Sequence, residues 1–132
     1  MNSTFTKILR IVLALGLIVF GLNKFIGFMS MPEMLANAGE FMSSLQATGY
    51  VLPIVGALEI IIGLLLLVNK SVPFALLLLA PISANILLFH LFLDLPSIGG
   101  ALVIAIINVN SYIQALESVP PVVLIFQEKI NV

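Results

Sequence analysis

The stretch from Tyr50 to Val68, YVLPIVGALEIIIGLLLLV, is apolar apart from one carboxylate, Glu59, near its middle. A helix of this length, rising ~1.5 Å per residue, crosses most of a ~30 Å hydrocarbon core, so the stretch predicts a membrane span. An ionisable side chain at that depth costs on the order of 3 kcal/mol or more unless it meets a partner or water, which predicts that Glu59 points into a helix bundle. Gly56 precedes it by three residues and Gly63 follows it by four. That spacing puts all three on one helical face, where a neighbouring backbone can come close.

Composition extends this reading to the whole chain. Its 132 residues are 61% hydrophobic and only 8% charged, with a mean hydropathy of +1.26. Water-soluble domains carry about 25% charged residues, so this is an integral membrane protein. The net charge of -1 includes no basic stripe, which argues against nucleic acid as a partner. There is no Cys, which excludes disulfides, thiolate catalysis and cluster ligation. The single His cannot ligate a haem from both sides, and no metal site is indicated. Any redox role therefore requires a diffusible carrier or a partner subunit.

Along the chain, Lys7 and Arg10 precede the apolar run Ile11 to Leu22. A basic start and a short apolar run also fit a secretory signal, but no small-residue cleavage pattern follows. Asn23, Lys24 and Phe25 to Met29 continue the run, giving an uncleaved first span over about residues 8–29. Gly16, Phe20, Asn23 and Gly27 fall at helical spacing and form its candidate bundle face. Ser30 to Gly49 is the long polar interruption, with Glu33 and Glu40 but no Lys or Arg. Met34, Ala38, Phe41, Met42 and Leu45 keep helical spacing within it, and Pro32 suits a first helical turn. A short interfacial helix fits, closed by Gly49, with Pro53 in the first turn of the next.

The second span, about 50–68, ends at Asn69, Lys70 and Ser71. So short a turn makes it an antiparallel neighbour of the third span, about 72–93. Pro73 stands at the entry of the third span and Pro81 inside it, where the missing amide predicts a bend. Ser83, Asn85 and His90 follow. After a turn at Asp94 to Ser97, a fourth span covers about 98–116, with Ala101, Ala105, Asn108 and Tyr112 on one face. Pro120 and Pro121 stop it, and the tail Val122 to Val132 fits either the interface or the underside of the bundle. The expected fold is an all-α membrane protein, a four-transmembrane-helix bundle with a short interfacial helix between spans one and two, in a single domain over 1–132.

Lys7, Arg10, Lys70 and Lys129 fall on one side of this four-span arrangement, while Glu33, Glu40 and Asp94 fall on the other. By the positive-inside rule both termini face the cytoplasm of a bacterial inner membrane. Counted along each helix, Lys24, Glu59, Asn85, His90 and Asn108 then occupy the extracytoplasmic half of the bilayer. One polar cluster is expected to gather them, although Asn85 and His90 stand about 140° apart on an ideal helix.

The strings RIVLALGLIVFGLNKF, GYVLPIVGALEIIIGLLLLV and PFALLLLAPISANILLFHLFLD resemble the DoxX family of small four-span membrane proteins, related to the DoxD subunit of thiosulfate:quinone oxidoreductase. The resemblance runs from Arg10 to Asp94, with a looser fit to Tyr112. Gly21, Asn23, Lys24 and Phe25 are similar to the family's first-span ending, Glu59 and Gly63 to its second-span pair, and Asn85 with His90 to its third-span signature. By analogy with the quinone-linked relative, the resemblance implies membrane electron transfer.

Two classes of function fit these residues. A quinone-linked redox subunit needs an apolar slot, a cation or amide at the carbonyl that gains negative charge, and an acid that delivers protons. Glu59 and His90 are then the catalytic candidates, and Lys24, Asn85, Asn23, Asn108 and Tyr112 the cofactor-contacting ones, with a partner redox subunit or a second copy completing the complex. The other class is a binding or scaffold protein whose cluster holds a lipid, a small molecule or a partner protein. Each residue also has a plainer reading. Glu59 pairs with Lys24 to lock helices, Lys24 snorkels to headgroups, His90 packs at a helix end, and Asn85 and Asn108 are interhelical hydrogen-bond glue.

Overall fold

The computed structural model describes residues 4–117. The elements are α1 (Thr4–Ile26), α2 (Ala36–Ala47), α3 (Val51–Leu67), α4 (Val72–Phe92), a single 3-10 turn (Leu95–Ser97) and α5 (Ile98–Glu117). The Pro120–Pro121 stop, the tail after it and Lys129 lie outside the described residues.

The first span ends three residues earlier than its apolar run predicts. Gly27 takes φ +66, a left-handed conformation open to glycine at little steric cost, and this terminates the helix. The carbonyl of Asn23 accepts the Gly27 amide at 2.8 Å, and its side-chain Oδ1 accepts the Met29 amide at 2.7 Å. The buried stripe of α1 is Leu13, Ala14, Leu17 and Gly21, not the expected Gly16, Phe20, Asn23 and Gly27. Phe20 faces outward and Gly27 lies beyond the helix. Small residues occur in both stripes, and only the stripe through Ala14 and Gly21 meets the glycines of the facing helix.

The short helix between the first two spans is present, but it begins at Ala36, so Pro32 precedes it rather than opening it. Gly49, at φ +75, turns the chain so that α2 and α3 meet at 89°. With α3 across the membrane, α2 lies along its surface. Ala38 is its buried residue, and Phe41 contacts Phe89 of α4 with ring centroids 5.7 Å apart.

Helix α1, helix α4 and the segment Leu95–Glu117 are each long and apolar enough to cross a membrane. The 17 residues of α3 give about 25 Å, the short end of the range for a span. Asn69 and Ser71, at φ 57 and 48, reverse the chain between α3 and α4, which pack as the expected antiparallel neighbours. Helix α4 continues unbroken through Pro81. The four long helices form a ring, α1 against α3 and α5, and α4 against α3 and α5.

The bundle divides along its length. Its apolar core joins Leu13, Ala14 and Leu17 of α1, Ile62 and Leu66 of α3, Leu76 and Leu79 of α4, and Ala115 of α5. Most of these lie in the half that holds the α3–α4 turn. Of the buried polar groups, Asp94 lies at the opposite end, Glu59, Ser83 and Asn108 near the middle of the bundle, and Ser111 towards the apolar end. Large apolar side chains such as Phe25, Phe74, Ile106 and Val109 are exposed around the outside, as a lipid-facing surface requires.

Candidate functional site

The glycine crossing of α1 and α3 also carries a charge pair. A Cβ placed on Gly21 would stand 2.7 Å from the Gly56 carbonyl oxygen, so at this crossing the backbones of α1 and α3 touch. A Cβ on Gly63 would meet the Ala14 carbonyl at 2.8 Å. Glycine at these three positions brings the helices near enough for Lys24, in the last turn of α1, to reach Glu59 on α3. Lys24 Nζ donates to Glu59 Oε2 at 2.7 Å, a charge-assisted hydrogen bond of the short and strong kind. The Glu59 side chain is 4% exposed and that of Lys24 22%, so the acid is enclosed and the lysine side chain is partly open.

A second polar contact joins α4 to α5. Ser83 Oγ lies 3.5 Å from Asn108 Oδ1 and 3.0 Å from the Ala80 carbonyl, two acceptors for its one hydrogen, while Asn108 Nδ2 donates to the Leu76 carbonyl at 3.4 Å. Ser111, one helical turn further along α5, buries a hydroxyl without a hydrogen-bond partner among the described residues. A third group lies at the end of α4. His90 Nδ1 is 3.4 Å from the Asp94 carbonyl and 3.8 Å from its carboxylate, and its ring stands edge-on to Phe89 at 5.1 Å.

The structure thus separates residues that depth alone places together. Of the expected cluster, Lys24 and Glu59 meet. Asn108 bonds to Ser83 and the α4 backbone, and His90 is engaged with Asp94 and Phe89. Asn23 closes the end of α1, and Tyr112 packs against the apolar core. Asn85 is exposed on the outer face of α4. Two contributors escaped the sequence reading. Asp94 passes for a turn residue, although its position four after His90 is a readable signal. Gln114, whose Oε1 accepts from Thr6 at 2.6 Å, falls outside the stripe chosen for the fourth span.

Between α4 and α5 an open groove of about 410 Å³ is lined by Leu87, Leu102, Ala105, Ile106 and Val109, with the Asn110 amide as a polar group at its edge. Gln114 Nε2 lies 3.4 Å from Asn110 Oδ1. No group of three His, Asp or Glu side chains able to hold a metal ion occurs among the described residues.

The arrangement defines a polytopic helical membrane protein whose first and second spans are tied by glycine contacts and one enclosed charge pair. The DoxX family model matches residues 5–91, and the chain belongs to the DoxX family. The match takes in Lys24, Glu59, Asn85 and His90 and stops before Asp94 and α5. No curated protein matches the chain, and no solved structure does.

Proposed function

We propose that this DoxX-family protein is a non-enzymatic binding or scaffold protein of a bacterial inner membrane, a single domain with both termini in the cytoplasm, that holds a lipid, a small molecule or a partner protein. The observation that carries this reading is the closure of Lys24 on Glu59 at 2.7 Å beside touching backbones at Gly21 and Gly56. A carboxylate whose partner is supplied by the adjacent helix ties two spans together. His90, the other acid–base candidate, is engaged by Asp94 at the end of α4, and Asn85 looks away from the bundle, so the donors that a quinone head would need do not converge.

One observation favours the second reading, a quinone-linked redox subunit. The partly exposed Lys24 side chain beside an acid is the pair a quinone carbonyl requires, since the cation meets the oxygen that gains negative charge and the carboxyl passes on a proton. Extraction and mass spectrometry of lipids from gently purified protein separate the two. The scaffold reading expects no stoichiometric quinone in the wild type, and the same bound lipids or proteins in Glu59→Gln. Quinone that copurifies with the wild type and is lost from Glu59→Gln overturns it in favour of the redox reading.

A further inference from the structure

Asn85 stands on the outward face of α4 among exposed Phe74, Leu77, Pro81, Ala84, Leu88 and Phe92. Its amide makes no side-chain hydrogen bond within the described residues, in contrast to Asn23 and Asn108. Seven residues of helix separate it from Phe92, where α4 ends, which sets it ~10 Å inside that end of the span. Neither water nor headgroups reach an amide at such a depth in a ~30 Å core, and acyl chains offer it nothing. The face therefore requires an occupant with both a hydrogen-bond donor and an acceptor at this depth.

A second copy of the chain meets that requirement without further adjustment. Inserted in the same orientation, it carries the same amide at the same depth, and a two-fold axis along the membrane normal sets the two face to face. A carboxamide is complementary to itself, each N–H donating to the other's carbonyl oxygen. The surrounding face carries no charge that would call for an oppositely charged partner, and Ala84 beside Asn85 keeps side-chain bulk low where the helices approach. We propose that the protein forms a parallel homodimer through the outward face of α4, with Asn85 bonded to Asn85 of the partner subunit. This assignment stands apart from the functional reading above and holds whether the Lys24–Glu59 pair is a lock or a redox site.

The chain contains no cysteine, so an introduced one reports a single position. Leu88→Cys lies on the proposed interface, and Ile61→Cys lies on the outer face of α3 as a control; both native side chains are exposed. In full-length protein reconstituted at low protein-to-lipid ratio, copper-phenanthroline oxidation is expected to give a disulfide dimer from Leu88→Cys and little from Ile61→Cys. Adding Asn85→Leu weakens association by about three- to thirtyfold, the range for one interhelical hydrogen-bonded contact, while Asn85→Gln largely retains it. Circular dichroism of each variant checks that the bundle is intact. Equal crosslinking at both cysteines, crosslinking undiminished in a folded Asn85→Leu variant, no dimer at all, or capture by a species of different mass in native membranes each overturns the proposal.

Discussion

Lys24 on α1 and Glu59 on α3 are joined by a 2.7 Å hydrogen bond across the crossing at which the Gly21 and Gly56 backbones touch. The two features depend on each other. The glycines set the helix separation that lets the lysine reach the acid, and the charge pair fixes the register in which the glycines meet. An isolated charge in this position would be costly, whereas a paired one ties the first span to the second.

Packing at the glycines is therefore expected to be intolerant of a single methyl group. Gly63→Ala places a Cβ 2.8 Å from the Ala14 carbonyl and 2.7 Å from Ile18 Cγ1, and overpacking of this kind costs about 1–3 kcal/mol. Gly16→Ala, on the facing α1, meets nothing within 4 Å and is expected to be neutral or slightly stabilising, since alanine favours helix. Thermal unfolding followed by circular dichroism in detergent checks the contrast; equal melting of both variants contradicts the close approach.

The surface helix is expected to depend on one aromatic contact. Phe41 and Phe89 lie 5.7 Å apart, a pair worth about 0.5–1.5 kcal/mol beyond its buried area. In Phe41→Ala, amide exchange over Ala36–Ala47 is expected to accelerate severalfold while α1 and α3 stay protected. Unchanged exchange in α2 would show that Ala38 and the 49–50 turn hold it alone.

The distribution of Lys and Arg predicts that the α3–α4 turn faces the cytoplasm. Reporter fusions after Lys70 and after Lys129 are expected to give cytoplasmic signals, and a periplasmic signal at either position contradicts the assignment.

The order of spans, the interfacial helix and the inward face of α3 were legible because each follows from a local pattern. Eighteen or so apolar residues, Gly49 before Pro53, and Gly56, Glu59 and Gly63 at helical spacing all carry their meaning in the sequence. The face of α1 was not legible, because Gly16 and Gly27 carry the same small-residue signal as Ala14 and Gly21, and only the position of α3 chooses between them. The single polar cluster failed for a related reason. Depth along a helix is readable from residue counting, but rotation about the helix axis is fixed by neighbours, so Asn85 and Glu59 share a depth and not a site. Asp94 illustrates the converse, since a turn residue is buried, with His90 from one turn earlier 3.8 Å from its carboxylate.

A double-mutant cycle on Lys24 and Glu59 measures whether the pair ties α1 to α3. With unfolding of the full-length protein in detergent as the readout, Lys24→Met leaves a buried carboxylate unpaired and is expected to cost about 3–5 kcal/mol, whereas the Lys24→Met, Glu59→Leu double variant recovers most of that loss. A coupling of about 2 kcal/mol or more marks the pair as the tie between the first two spans. Additive single effects, with no recovery in the double variant, would contradict it.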